Sequence, residues 1–209
     1  MKTLFLTLIM VTTVLFSIPA MGDERTLLTG EVTHGGFGGP DWKMTKIYGD
    51  MGLMVGGKGG WIIDHKMFIG GGGYGLVNEI PAPVADRYLN FGYGGVVVGG
   101  IIGSDKVVHA CVSALIGGGG VNYRKHWEDM NGHWDDDIYY YDDSDPDFIS
   151  NDNFFVIEPG VDLELNVAKF MRITFGVSYR IVNGLEGKDL ENSDLSGVSA
   201  NIMLKFGKF

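Results

Sequence analysis

The chain has 209 residues, a formal charge of −10, 34 glycines and a single cysteine, Cys111. The acidic balance argues against nucleic acid as a partner and against a basic helix lying on a membrane, and one cysteine rules out an intramolecular disulfide framework. Glycine stands at more than twice its usual ~7%, yet it is interleaved with Val, Ile, Phe, Tyr and Trp, which disordered chains lack.

Residues 1–22 open with Lys2, run through an apolar stretch from Leu4 to Phe16, and end in Pro19, Ala20, Met21 and Gly22. A positive start, a short apolar core and a small-residue site describe a cleaved secretory signal. The stretch falls short of the ~20 residues that a spanning helix needs. Removal of Lys2 with the signal leaves residues 23–209 one charge more negative, as one β-barrel domain. No later apolar run reaches spanning length, so any membrane crossing is made by strands.

Eight strands are expected, over residues 27–37, 45–60, 66–79, 87–102, 106–124, 153–167, 170–183 and 197–209. The period of two is clearest near the C-terminus. Phe155, Ile157, Val161, Leu163, Leu165 and Val167 alternate with Val156, Glu158, Gly160, Asp162, Glu164 and Asn166. Met171, Ile173, Phe175, Val177, Tyr179 and Ile181 alternate with Arg172, Thr174, Gly176, Ser178 and Arg180. Such alternation marks strands with one apolar and one polar face. "LMVGG" then "IGGGG" (53–57, 69–73) is echoed by "VVVGG" then "IGGGG" (96–100, 116–120), the sign of repeated hairpins. Tight turns are expected near 63–66, 103–106 and 167–169. Longer polar or Pro-containing connections are expected at 38–43, 80–86, 125–152 and 184–196.

An even strand count with short turns at one end and long loops at the other is the pattern of an all-β, antiparallel, up-and-down transmembrane barrel. The alternative is a soluble exported, lipocalin-like binding barrel in the periplasm or secreted, with apolar faces turned inward. The polar faces carry Gly, Ser, Thr and Asn with few, balanced charges, which suits a closed interior better than a solvated surface. Eight strands leave a lumen that side chains can fill. Its expected charges are Glu31, Asp50, Lys58, Glu158, Asp162, Glu164, Arg172, Arg180 and Lys205. They are arranged as ion pairs between neighbouring strands, with Glu31 near Lys205 where the first and last strands close. A plug of ion pairs is the expectation, and a porin-like ion path is the alternative.

The signal, the eight alternating strands, the short turns, the long loops and the terminal Phe209 resemble the small OmpA/OmpX-type outer-membrane barrels. The resemblance covers all of 23–209 and is architectural, without a specific motif. It implies a monomer embedded in outer-membrane lipid. Phe209 has the opposite parity to Phe206, Leu204 and Ile202, and Gly207 offers a bend.

Candidate chemistry is sparse. The match to G-x-G-x-x-G at Gly70, Gly72 and Gly75 lacks a following helix, because Pro81 and Pro83 come next, so a dinucleotide loop is rejected. Loop 126–152 holds ten carboxylates and no Lys or Arg. With Trp127, Trp134 and the Tyr139–Tyr141 run, it is the expected surface for an extracellular partner. Asp143, Asp145 and Asp147 start like a Ca²⁺ loop, but Phe148 and Phe154 stand where Gly and Glu belong, leaving at most a loose cation site. His126 and His133 match no dense zinc cluster. His109, Cys111 and Ser113 share one face and hint at a nucleophile beside a base, but no acid is placed to orient the imidazole. A lipid-modifying barrel enzyme is therefore the lesser alternative to a non-enzymatic barrel.

Overall fold

The computed structural model describes residues 32–84, 86–124, 148–186 and 189–209. They build eight strands: β1 His34–Ile47, β2 Asp50–Ile63, β3 Met67–Leu76, β4 Tyr88–Ile102, β5 Val108–Arg124, β6 Phe148–Ala168, β7 Met171–Asn183 and β8 Gly197–Lys208. A short helical turn, α1 (Asn192–Leu195), precedes β8. Each strand pairs antiparallel with its sequence neighbour, and β1 pairs with β8, closing the barrel. The expected all-β, eight-stranded antiparallel barrel is what the chain forms. Nearly every backbone amide on these strands thereby finds a partner without leaving a sheet edge.

The first hairpin departs from expectation. Residues 38–43, expected as a connection, lie inside β1, with Asp41 buried and Trp42 exposed. Pro40 sits mid-strand and "HGGFGGP" lacks apolar alternation, which hides the strand from a periodicity reading. The real connection is Tyr48–Gly49, with φ of 50° and 85°. Positive φ at both central residues is a type I′ turn, whose twist matches the flanking strands. Its end of the barrel also carries the connections 77–87 and 184–196, the end of β5 and the start of β6. The opposite end carries 64–66, 103–107 and 169–170 together with His34 and Lys208. Asp50 consequently lies exposed at the rim rather than among the buried lumenal charges. β6 starts earlier than expected, so Asp152 belongs to a strand and pairs with Val121.

The apolar faces point outward. Trp42, Leu53, Trp61, Ile69, Val96, Val112, Phe155, Leu163, Phe175 and Ile202 are all exposed. Their neighbours one residue along point inward, among them Asp41, Lys43, Glu158, Asp162, Glu164, Arg172 and Lys205. An apolar outer face of this kind is the reverse of what a water-soluble, lipocalin-like barrel presents. Toward the end bearing the long connections, Tyr74, Phe91, Tyr93, Phe154 and Val156 form a buried cluster roofed by Ile80, Leu190 and Leu195.

The glycine runs follow from the small circumference. A Cβ on Gly117 would lie 2.6 Å from Gly95 Cα of the adjacent strand. At Gly70 it would lie 2.8 Å from the Gly59 carbonyl carbon, and at Gly72, 2.9 Å from Lys58 Cγ. At Gly117 and Gly70 the space is taken by neighbouring backbone, because a strongly coiled sheet brings inner faces together. Gly75 is different, with nothing within 4 Å.

Candidate functional site: the charged lumen

Three layers of polar side chains cross the lumen. In the middle layer Glu158 of β6 is a hub. It accepts from Lys43 Nζ at 2.6 Å, from the Tyr93 hydroxyl at 2.7 Å and from Ser178 Oγ at 2.5 Å. Lys43 also lies 3.5 Å from the centre of the Tyr74 ring, a cation–π contact. The Tyr74 hydroxyl donates to Asp41 at 2.8 Å, and Asn201 Nδ2 donates to the same carboxylate at 3.1 Å. Lys58 bridges Asp41 at 3.3 Å and Asp162 at 3.8 Å. Every strand except β5 contributes a group to these contacts, so the layer ties the circumference together.

Near the end with the short turns, Glu164 accepts from Lys205 and Arg172, the latter at 3.2 Å, with His109 Nε2 at 3.1 Å. The ring of Phe209 lies 3.9 Å from the Arg172 guanidinium carbon. Since β8 ends at Lys208, the terminal aromatic turns onto this layer instead of joining the outer belt. At the opposite end Arg180, fully buried, donates to the carbonyls of Leu195 at 2.6 Å and Lys46 at 3.3 Å. Its guanidinium faces Phe91 at 5.0 Å. Arg180 thus fastens the 184–196 connection over the mouth. Tyr48 N and Val182 N add bonds to Asp194 O and Ser196 Oγ there.

Of the residues singled out in the sequence, Lys58, Glu158, Asp162, Glu164, Arg172, Arg180 and Lys205 all face this lumen. Their pairing differs from the expected one between neighbouring strands. Among the described residues the one ion pair that joins β6 to β7 is Glu164–Arg172. Glu158 reaches Lys43 on β1, Asp162 reaches Lys58 on β2, and Arg180 bonds backbone carbonyls. The lumen is narrow enough for long side chains to span it, so the nearest opposite charge is often across rather than alongside. Lys205 pairs with Glu164, while Glu31 lies outside the described residues, as do Asp143, Asp145, Asp147, His126 and His133. Asp41 and Lys43 escaped the sequence reading, Asn201 keeps the polar-face parity of its strand, and Tyr74, Phe91, Tyr93 and Tyr123, expected in an aromatic girdle from their place near strand ends and glycine runs, are buried inside instead. Lys43 and Asp41 were hidden by the misplaced first strand, but the strict inward parity of Lys43, Thr45 and Ile47 would have revealed them.

The packing leaves little free space. A polar cavity of about 20 Å³ among Lys43, Lys58, Tyr74, Glu158, Asp162 and Asn201 has room for about one water. Against the expectation that no acid stands beside His109, Glu164 lies opposite it on β6 with its carboxylate 3.1 Å from Nε2; a cavity this size, however, admits no acyl chain.

A closed eight-stranded antiparallel barrel, apolar outside and charged within, is the architecture of the small OmpA/OmpX-type outer-membrane barrels. Among solved structures the chain is similar to Neisserial surface protein A, with a TM-score of 0.52 at 11% identity over 86% of this chain and 100% of that one. It is also similar to the N-terminal β-barrel domain of Pseudomonas aeruginosa OprF (TM-score 0.48, 11% identity, 82% and 96% covered). Ail, the attachment invasion locus protein of Yersinia pestis, has a TM-score of 0.47 at 11% identity, with 83% and 97% covered. No protein-family model and no curated protein matches the sequence.

Proposed function

We propose that this protein is exported, its signal removed within residues 1–22, and inserted in the outer membrane as a non-enzymatic β-barrel with a closed lumen. In this reading loop 126–152 presents an acidic, aromatic surface to an extracellular partner or a cation such as Ca²⁺. The observation that carries the reading is the inverted barrel, with Trp, Phe, Leu and Val outward and ion pairs inward. A water-soluble barrel exposing Leu163, Phe175 and Val177 together would present an apolar belt to water and aggregate. The reading of a lipid-modifying enzyme is disfavoured by the filled lumen. A closed plug is favoured over an ion path because, among the described residues, the lumenal carboxylates Asp41, Glu158, Asp162 and Glu164 are each held by at least one cation in an ion pair.

Membrane fractionation with heat-modifiable gel migration tests the location. Recovery in the outer-membrane fraction, with a mobility shift on boiling, is expected. Recovery in the soluble periplasmic fraction overturns the proposal. Planar-bilayer recording tests the plug, and a steady conductance from the purified barrel would refute it.

A further inference from the structure

Low in the lumen, His109 and Cys111 of β5 stand two residues apart on one face, and Glu164 of β6 lies opposite His109 in register. A His109 ring nitrogen, Cys111 Sγ and a Glu164 oxygen all lie within 4.8 Å of one another, and all three residues are buried. Glu164 is already committed. One oxygen takes Lys205; the other lies 3.2 Å from Arg172 Nη1 and 3.1 Å from His109 Nε2. Arg172 Nη1 also lies 3.2 Å from His109 Nε2; we assign the proton to Nε2, because Arg172 and an Nε2–H then donate side by side to the same Glu164 oxygen, whereas a lone pair on Nε2 would face that oxygen. With the proton there, the imidazole's lone pair is on Nδ1, which is buried and has no hydrogen-bond partner. An imidazole with one nitrogen held by a carboxylate and the other free is the arrangement of a metal-ligating histidine.

Charge selects the ion. Arg172 and Lys205 flank Glu164, and Asp162, opposite Cys111 in register, is paired with Lys58 at 3.8 Å, so no carboxylate is left over and a divalent ion would add net positive charge to the site even after the thiol proton departs. A monovalent ion that replaces that proton leaves the net charge unchanged. Thiolate sulfur with imidazole suits a soft ion, copper(I) above all. With bonds of about 2.0–2.1 Å to nitrogen and about 2.3 Å to sulfur, as at zinc, the bridged atoms stand at most about 4.4 Å apart. A His109 ring nitrogen and Cys111 Sγ already lie within 4.8 Å of one another.

We propose that His109 and Cys111 form a two-coordinate lumenal site for a soft monovalent cation of the copper(I) type. Glu164 orients the imidazole and keeps Arg172 and Lys205 occupied. On binding, the S–H bond of Cys111 breaks, its proton leaves to solvent and an S–Cu bond forms, with copper remaining in the +1 state throughout. The site is additional to the barrel's proposed role and does not depend on the contacts of loop 126–152.

The test uses the full barrel folded in detergent, titrated anaerobically with copper(I) held by a competing chelator. Bound copper per chain, near-ultraviolet sulfur-to-copper absorption and protection of Cys111 from an alkylating reagent are read together. One copper per chain is expected. Cys111→Ser should abolish the absorption and the stoichiometric binding, and His109→Gln should weaken binding at least tenfold. Heat-modifiable migration of each variant confirms that it folds. No binding to the wild type overturns the proposal, as does binding that Cys111→Ser leaves intact. Zn²⁺ bound with equal or higher affinity at the same residues overturns the choice of a monovalent ion.

Discussion

Replacing Glu158 by Leu removes the acceptor shared by Lys43, Tyr93 and Ser178 at 2.6, 2.7 and 2.5 Å. Lys43 is 5% exposed and Glu158 4%, so solvent does little to screen the pair. Among the described residues no other carboxylate lies within salt-bridge distance of Lys43. The variant therefore strands a buried ammonium, which costs about 3–5 kcal/mol. The hydroxyls of Tyr93 and Ser178 lose their acceptor at about 1 kcal/mol each. The cation–π contact of Lys43 with Tyr74 is already present in the wild type and offsets none of this. The expected loss is thus about 5–7 kcal/mol. Adding Lys43→Met removes the stranded charge and should bring the double variant within about 2 kcal/mol of wild type, a coupling of at least about 3 kcal/mol. At 1.36 kcal/mol per factor of ten, that coupling exceeds a hundredfold in the unfolding constant. Urea unfolding of the barrel in phospholipid vesicles, followed through the exposed Trp42 and Trp61, measures all four corners of the cycle. A cost below about 1 kcal/mol for Glu158→Leu, or additivity within about 0.5 kcal/mol, would refute the assignment of Glu158 as the hub.

Three further outcomes are expected. Gly117→Val should prevent barrel assembly, because its side chain would enter the backbone of Gly94 and Gly95, whereas Gly75→Ala, with open space around it, should leave heat-modifiable migration unchanged. Leu163→Arg places a cation on the 57%-exposed outer face and should destabilise the barrel by about 2–4 kcal/mol in vesicles, measured by the same unfolding assay. A loss under about 0.5 kcal/mol would place Leu163 outside the hydrocarbon. Arg180→Met removes the bonds to the Leu195 and Lys46 carbonyls and should make the 184–196 connection at least tenfold more susceptible to limited proteolysis, while the barrel strands stay protected.

Much of the architecture was legible in the chain because a strand's period is two and each face of this sheet meets a different medium. From Phe155 to Ile181 the alternation of apolar and polar residues placed Glu158, Asp162, Glu164, Arg172 and Arg180 on one face. The barrel keeps them there. The same rule failed at "HGGFGGPDWK", where glycines erase the hydrophobic signal and Pro40 imitates a loop, and with it went Asp41 and Lys43. The match at Gly70, Gly72 and Gly75 likewise needed the neighbouring strands. Gly70 meets backbone and Gly72 meets Lys58, while Gly75 faces open space.

Local sequence therefore determined the strands, their facing and the even count, since these depend only on side-chain alternation and turn chemistry. Ring closure decided what lies across the lumen. Pairings such as Glu158 with Lys43, Asp162 with Lys58, and Glu164 with Lys205 join non-adjacent strands and residues 41 to 115 positions apart along the chain. They exist because eight strands bring opposite walls within reach of one lysine side chain. Periodicity along a strand carries no information about that distance.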